Sequence, residues 1–171
     1  IILRLGSVSL VLCLLFGCGF QLRGTEQFEA LSFDSIYIEL SDVDSHILRA
    51  LEEKFERSNV QVTDRSSFAQ YVAFISGERN SRRAIAHSSG QMVSEFGITR
   101  AVYLHLVNLS GDVLINKEEV LAERFYVLNA QILDSSFQEE RLLLEEMQKD
   151  ISEQIFRRIN AVIQEYQNKT R

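Results

Sequence analysis

The amino-acid sequence predicts an α+β fold, a two-layer sandwich in which two helices pack on a small, mainly antiparallel (mixed) sheet of about four strands. Three observations lead to this prediction. Apolar and polar residues alternate over most of residues 70–127, as they do in strands with one buried face. Apolar residues recur every three or four positions in residues 43–55. They do so again in residues 143–166, and this is the spacing of a helix with one buried face.

The first predicted elements are a strand, a helix and a second short strand. Residues 36–40 alternate and form the first strand. Ser41 and Asp42 are expected to cap the helix, because short polar side chains accept hydrogen bonds from its first free amides. Asn59 is expected to end the helix, and residues 60–62 form the second strand. The apolar stripe of this helix is Val43, Ile47, Leu48, Leu51 and Phe55.

A long strand is predicted to follow, with a polar break in the middle. Residues 71–75 open this strand, and residues 84–86 resume it. The polar residues 77–81 between them are expected to interrupt the strand. Serine and glycine at residues 88–90 then predict a turn.

Two further long strands form a hairpin. Residues 92–107 alternate, the Ser-Gly-Asp sequence at residues 110–112 predicts a turn, and residues 113–127 run back antiparallel. Strands of this length exceed the usual five or six residues, so the hairpins are expected to project beyond the core.

The last predicted element is a long helix. Ser136 and Glu139 have the spacing of a capping box, in which each side chain accepts a hydrogen bond from the backbone amide of the other residue. About thirty residues in a helix make a rod of about 45 Å. The apolar stripe of this helix is Leu143, Met147, Ile151, Ile155, Ile159, Val162 and Tyr166.

The N-terminus resembles a bacterial lipoprotein signal. Arg4 precedes an apolar run over residues 5–16, which is too short to span a bilayer as a helix. The run ends at Gly17-Cys18, which resembles the lipobox, where a lipid is joined to the cysteine sulfur and the peptide is cut just before it. The sequence therefore predicts a lipoprotein signal peptide over residues 1–17 and a lipid on Cys18.

The rest of the chain divides into a tether and one domain. Residues 18–34 show no clean period and are predicted to be a lipidated extended tether, and residues 35–171 a single α+β domain. Gly19 after the lipidated cysteine resembles lipoproteins that are sent to the outer membrane. The expected location is therefore the outer membrane, lipid-anchored on the periplasmic side. The alternative is an ordinary secretory signal in which Cys18 is incidental.

Charge and cysteine content exclude two classes of protein. The formal net charge is −6, and cleavage before Cys18 would also remove Arg4, so the remainder is one unit more negative. A nucleic-acid partner requires a basic surface and is therefore not expected. Of the two cysteines, Cys13 leaves with the signal and Cys18 carries the lipid, so no disulfide is expected in the domain.

The sequence contains no recognisable catalytic or metal-binding pattern. Its histidines, at residues 46, 87 and 105, have no cysteine or carboxylate at metal-ligand spacing. It has no nucleophile elbow, no P-loop and no dinucleotide-binding glycine motif. We therefore predict that the chain is not an enzyme and binds no cofactor or metal.

One basic cluster could meet a ligand. It consists of Arg79, Arg82, Arg83 and His87 on the first long strand. These residues are either the solvated face of an exposed strand or a surface for an anionic ligand. Neighbouring residues in a strand point to opposite faces, so Arg82 and Arg83 are not expected to face the same ligand surface.

Several motifs resemble those of the LPS-assembly lipoprotein family LptE, and the resemblance covers essentially all of residues 18–171. The motifs are C-G-F-Q-L-R at residues 18–23, Gly90-Gln91 before Glu95-Phe96, Arg124 with Asn129, and Glu140, Met147, Asp150, Gln154, Ile155 and Arg158 in the last helix. Members of that family sit as a plug inside the outer-membrane β-barrel LptD. The resemblance implies LptD and lipopolysaccharide as partners and a role in moving lipopolysaccharide to the outer leaflet.

The chain departs from the family at two places. Family members can carry basic residues where residues 88–89 and 135–136 stand, near the lipopolysaccharide contact that the resemblance implies; here all four residues are serines. Arg82, Arg83 and Arg124 are the candidates to replace those contacts. Two other functions stay open: a lipoprotein scaffold of another envelope complex, such as a pilus or secretion assembly, and a periplasmic hydrolase.

Overall fold

The described part of the chain is a five-stranded mixed sheet with two helices on one face, which confirms the predicted α+β class. The computed structural model describes residues 31–87, 93–129 and 133–170. The predicted turn at residues 88–90 lies outside these ranges. The elements are β1 (Ser35–Ser41), α1 (Ser45–Arg57), β2 (Gln61–Val62), β3 (Tyr71–His87), β4 (Val93–Asn108), β5 (Val113–Asn129) and α2 (Leu133–Thr170). The sheet has five strands where about four were expected, and the short strand predicted at residues 60–62 is the two-residue β2.

The sheet has the order β2-β1-β3-β4-β5. β1 is parallel to both of its neighbours, and β3, β4 and β5 form an antiparallel meander. The α1 helix makes the crossover between β1 and β2 that a parallel pair requires. This leaves β5 as a long edge strand, while the opposite edge is the very short β2.

The core lies between the sheet and the helices. On β4 the even-numbered residues, such as Val102 and Leu104, are buried against the helices, and we call this side the helix face. Odd-numbered residues, such as Tyr103, lie on the other side, which we call the outer face. In the described residues neither helix packs on the outer face. The apolar residues that the helices contribute with no exposed surface are Ile47, Leu51, Phe55, Met147, Ile151, Ile155, Ile159 and Ile163.

The buried stripe of α2 differs from the predicted one near its end. The predicted stripe moved from Ile159 to Val162, but the structure buries Ile163 fully and Val162 only partly. The spacing of four continues unbroken from Met147 to Ile163, so the buried row is inclined to the helix axis, as a row of every fourth residue is. At the N-terminal end, Phe33 contacts the rings of Phe55 and Tyr71, so packing in the core begins before β1.

The predicted caps of α1 are wrong at its start and confirmed at its end. Ser41 is the last residue of β1, and Asp42 is a turn residue with a φ of 56°. The cap is Asp44, whose side chain accepts a hydrogen bond from the amide of His46 at 2.9 Å. This hydrogen bond also holds the pKa of Asp44 below its usual value. Asn59 follows the helix in the left-handed conformation, with a φ of 61°.

The predicted start of α2 is also wrong. The helix begins at Leu133, so Ser136 and Glu139 lie inside its first turns and do not form a capping box. It has 38 residues and is therefore about 57 Å long. The additional first turns are held by the sheet, since Glu140 accepts a hydrogen bond from Tyr126 on β5 at 2.5 Å.

The predicted interruption of β3 is wrong, because the strand is continuous through residues 77–81. A β-bulge between Ser76 and Arg79 absorbs the change, and Gly77 takes the required positive φ of 64°. The bulge changes which residues point at the helices: Ile75 does so before it and Arg82 after it. Residues in this stretch can be polar because α1 packs mainly on β1, β2 and α2 rather than on β3.

The domain is elongated and has two distinct ends. At the proximal end Tyr71 pairs with Asn108, and the side chain of Gln167 in α2 donates to the carbonyl of Ser32 at 2.9 Å. The distal end consists of residues 82–87, 93–97, 123–129 and the start of α2. Because β3 has 17 residues, the two ends are about 55 Å apart. The described chain enters at the proximal end, where α2 also ends.

Candidate functional site

The predicted contact residues Arg82, Arg83 and Arg124 all lie toward the distal end of the sheet. Strand alternation separates the first two, as the sequence predicts. Arg82 points to the helix face, where it meets Glu140 of α2 at 3.5 Å. Arg83 points to the outer face, where it pairs with Glu123 of β5 at 2.9 Å.

Arg82 is part of a cluster that attaches the start of α2 to the sheet. Its guanidinium carbon lies 4.1 Å from the ring centroid of Phe96 and 5.6 Å from that of Tyr126. These two rings stack on each other at 5.8 Å. Burial, together with the hydrogen bond to Glu140, raises the pKa of Tyr126 to about 12. The cluster thus keeps Tyr126 neutral and fixes Arg82 against a carboxylate.

Arg83 belongs to a row of ion pairs that crosses the outer face. Arg83 reaches over β4 to Glu123, and Arg79 reaches over β4 to Glu119 in the same way. The strand beneath them has small residues, and Gly97 is one of them. A Cβ at Gly97 would lie 3.1 Å from the nearest side-chain atom of Ile85 and 3.2 Å from the nearest side-chain atom of Phe125. The small residues of β4 therefore let side chains from β3 and β5 meet above it.

Arg124 points to the helix face and is ion-paired with Asp150 of α2. It also donates to the backbone carbonyl of Glu123 at 2.9 Å. Its side chain is about one-third exposed. Arg124 therefore connects the edge strand to α2 rather than standing free for a ligand.

Side chains of α2 cover further carbonyl groups of the edge strand β5. Gln154 donates to the carbonyl of Leu121 and Arg158 to that of Glu119, both at 3.0 Å. Together with the carbonyl of Glu123, three carbonyl groups of alternate residues on the open edge of β5 therefore accept hydrogen bonds from side chains. An exposed edge strand invites pairing with another chain, and such coverage opposes it.

A buried ion cluster near the start of α1 was not predicted. Arg100 on β4 is buried on the helix face, with Glu78 at 2.5 Å and Asp44 at 3.5 Å. Glu78 also accepts a hydrogen bond from the backbone amide of Asp44 at 2.7 Å. The bulge at Gly77 is what turns Glu78 toward the helix face. The sequence signal was the glycine inside an otherwise regular strand, which often marks a bulge.

The groove between the two helices favours neither an anionic nor a cationic ligand. It has a volume of about 730 Å³ and is lined by both basic and acidic side chains. Lys54 pairs with Glu153 across it, and Arg57 pairs with Glu53 along α1. Among the described residues no three histidine, cysteine or carboxylate side chains are grouped so that they could hold a metal ion. His105 instead contacts the ring of Phe74 on the outer face, at 5.8 Å.

With this geometry in place, the comparison with protein families is decisive. The model of the lipopolysaccharide-assembly family LptE matches residues 32–159, which is well over half of the chain. The chain belongs to the LptE family. The resemblance stated from the sequence motifs is therefore confirmed. LptE-family proteins are non-catalytic lipoprotein scaffolds, which is consistent with the prediction that this chain is not an enzyme.

Solved structures of other lipoproteins share the LptE-type fold. Lipoprotein B from Nitrosomonas europaea is 27% identical, with a TM-score of 0.69 over 85% of this chain and 93% of that one. A minor lipoprotein from Acinetobacter baumannii is 19% identical, with a TM-score of 0.63 over 77% and 93% of the two chains. Rare lipoprotein B from Shewanella oneidensis is 16% identical, with a TM-score of 0.65 over 77% and 98%. Curated proteins give no match to this sequence.

The family match includes Arg82, Arg83 and Arg124, but it begins after Cys18. Cys18 also lies outside the described residues, so lipidation there stays a prediction. Within the described ranges, no helix is long and apolar enough to cross a membrane. All three arginines are paired with carboxylates of this same LptE-family chain, so an anionic ligand would have to compete with those carboxylates.

Proposed function

We propose that this chain is an outer-membrane lipoprotein, anchored on the periplasmic side by a lipid on Cys18. It plugs and helps to assemble the β-barrel LptD, and with LptD it takes part in lipopolysaccharide transport to the outer leaflet. The observation that carries the proposal is the match of residues 32–159 to the lipopolysaccharide-assembly family. In this role the domain works as a scaffold and as a contact surface, without a catalytic step.

The outer face suits the polar lumen of a wide barrel. Such lumens are lined by polar side chains and filled with water. The outer face carries the pairs Arg79–Glu119 and Arg83–Glu123, whose charges compensate each other. Where these two pairs lie against a polar wall, neither partner is left unpaired and desolvated, which would be costly.

The elongated shape also supports a plug. A domain about 55 Å long exceeds the height of a bilayer's hydrocarbon core, which is about 30 Å. It can therefore fill a barrel and still extend from one end. The proximal end, where the described chain enters, is the end nearer to Cys18 along the sequence. This arrangement would leave the distal end directed into the barrel.

The proposed anchor needs more than one acyl chain. A single chain gives marginal and reversible membrane binding, because each buried CH₂ contributes only about 0.8 kcal/mol. A lipoprotein cysteine that carries several acyl chains is held stably. The domain itself would then not need a membrane-spanning segment.

Lipopolysaccharide contacts are proposed at Arg82, Arg83 and Arg124, and side-chain exposure favours one of them. The side chain of Arg83 is 69% exposed, whereas those of Arg82 and Arg124 are 39% and 36% exposed. Arg82 is also stacked on Phe96. Arg83 is therefore the arginine that a phosphate can reach with the least rearrangement.

The proposal is tested by purification of the full lipidated chain in mild detergent, followed by identification of what co-purifies. LptD is expected, and its assembled form should decrease when the chain is depleted, with loss of the barrier to large apolar antibiotics. A photo-crosslinker at Ser81 on the outer face should link to the barrel, and one at the buried Ile155 should not. Normal barrel levels after depletion, or recovery of pilus or secretion components instead of LptD, would refute the proposal.

A further inference from the structure

Tyr103, near the middle of the outer face, lies between two β-bulges. On β3 the bulge falls between Ser76, which pairs with Tyr103, and Arg79. On β5 it falls at residues 116–117, which together oppose His105. Bulges re-aim side chains and are over-represented beside functional sites. Here both strands that flank β4 are distorted within a few residues of the same tyrosine.

Two cations lie against the ring of Tyr103. The guanidinium carbon of Arg79 is 4.9 Å from the ring centroid, and the ammonium of Lys117 is 5.0 Å from it. Arg79 also donates to the Tyr103 hydroxyl at 2.8 Å. The ring therefore holds two like charges near each other, through the attraction between a cation and an aromatic face.

One carboxylate is available for these two cations. Glu119 pairs with Arg79, and in the described residues Lys117 makes no ion pair. The cluster of Arg79, Lys117, Tyr103 and Glu119 thus carries one formal positive charge that its carboxylate does not balance. This is a local positive site on a chain whose formal charge is −6.

Lys117 occupies a backbone conformation that favours glycine. Its φ is 47°, in the left-handed region, which is unfavourable for a residue with a Cβ. A glycine, or an asparagine such as the one directly before it at position 116, would suit this backbone conformation better than a lysine. Unfavourable backbone conformations that persist are concentrated at binding sites. The strained position is what brings the Lys117 ammonium over Tyr103.

We propose that Lys117 and Arg79, positioned by Tyr103, bind an oxyanion carried on a sugar, either a phosphate monoester or a carboxylate. The ammonium offers a mobile point charge that, within the described part of the chain, has no ion pair to displace. The guanidinium, whose terminal nitrogens already donate to Tyr103 and Glu119, adds a second positive charge beside it. The proposal rests on the proposed function, since lipopolysaccharide presents both groups on sugars. It adds a contact in the middle of the outer face, separate from the contacts proposed at Arg82, Arg83 and Arg124.

The test uses the full chain in mild detergent at low salt, titrated with glucose 6-phosphate, glucuronate and glucose. Binding is followed by chemical-shift changes of Tyr103 and its neighbours in β4. Glucose 6-phosphate and glucuronate are expected to shift these signals, more weakly as salt is added, and glucose is not. Comparison of the affinities for glucose 6-phosphate and glucuronate identifies whether phosphate or carboxylate is the preferred oxyanion. Equal shifts with glucose would overturn the proposal.

Lys117→Gly is the decisive variant, because glycine suits the φ at this position and the fold should be kept or stabilised. It is expected to weaken glucose 6-phosphate binding about two- to fivefold, the loss typical of one exposed charge. Lys149→Ala, which removes an exposed lysine of α2, is the matched control and should leave binding unchanged. Unchanged binding by Lys117→Gly, or an equal loss in Lys149→Ala, would overturn the proposal.

The titration tests the oxyanion site, and co-purification of LptD tests the proposed function, so the two results are independent. Lys117→Gly is expected to co-purify with LptD as the unchanged chain does, since the surface remains polar. If LptD fails to co-purify with the unchanged chain, the plug proposal is wrong, while the sugar-phosphate titration stands on its own. If titration shows no dependence on Lys117, the binding site is wrong, and co-purification is unaffected.

Discussion

Replacing Glu78 with glutamine is expected to destabilise the fold by about 3 kcal/mol, because it leaves a buried arginine without its main partner. The side chains of Arg100 and Glu78 are only 8% and 10% exposed, and they lie 2.5 Å apart. Asp44, at 3.5 Å from Arg100 and 39% exposed, can compensate only in part. The loss is therefore placed at the lower end of the range of about 3–5 kcal/mol for breaking a buried pair.

The assay is urea unfolding of the purified chain, followed by circular dichroism, with the free energy extrapolated to water. Glu119→Gln is the matched control, because it removes an exposed partner of Arg79 and is expected to cost about 0.2–1 kcal/mol. A second variant replaces Arg100 with methionine and Glu78 with leucine together, and its stability should approach that of the unchanged chain. A loss for Glu78→Gln no larger than that for Glu119→Gln would refute the role of burial in this cluster.

Four further predictions follow from particular residues. Ile163→Ala should cost about 2–5 kcal/mol in urea unfolding, since it empties a fully buried core position; a loss below 1 kcal/mol would contradict the packing of α2. Because its folded pKa of about 12 exceeds the usual 10, Tyr126 should stabilise the fold below pH 10 and lose that contribution as pH rises toward 12; thermal melts of Tyr126→Phe should lack this dependence. Cys18→Ala should abolish fatty-acid labelling and leave an uncut precursor. Arg82→Glu should lower the melting temperature, whereas Arg83→Glu should fold normally and weaken lipopolysaccharide binding at low salt, and equal effects would contradict the two-face arrangement.

The sequence predicted the sheet and the helices well because both depend on local periods. Alternation in β3, β4 and β5 follows directly from burial on one face. The bulge at Gly77 escaped prediction, because it shifts the alternation by one position and resembles a break in the strand. The cap of α1 escaped for another reason: Asp42 and Asp44 are equally good caps in isolation. The hydrogen bond from the Asp44 amide to Glu78, which the bulge supplies, favours the second.

The candidate site was only partly predictable from the sequence. Alternation correctly separated Arg82 from Arg83, because it needs only neighbouring residues. Their partners could not be predicted, since Glu140 and Glu123 lie tens of residues away in the sequence and meet the arginines only through the packing of β5 and α2. Lys117 carried no signal either, because a lysine in a polar stretch does not indicate a left-handed backbone.

The pairing of the arginines changes what charge can contribute to lipopolysaccharide binding. A phosphate that approaches Arg83 must displace Glu123, so the favourable contact is offset by the loss of an existing ion pair and by a carboxylate left beside the ligand. Lys117 has no such partner in the described residues, so a contact with its ammonium breaks no ion pair, and the neighbouring Arg79–Glu119 pair can stay in place. In a chain with a net charge of −6, one unpaired cation therefore binds a phosphate more favourably than several cations that are already paired with carboxylates. The functional charge of this surface is set by which cations lack a carboxylate, and that depends on the bulges of β3 and β5 rather than on the count of basic residues.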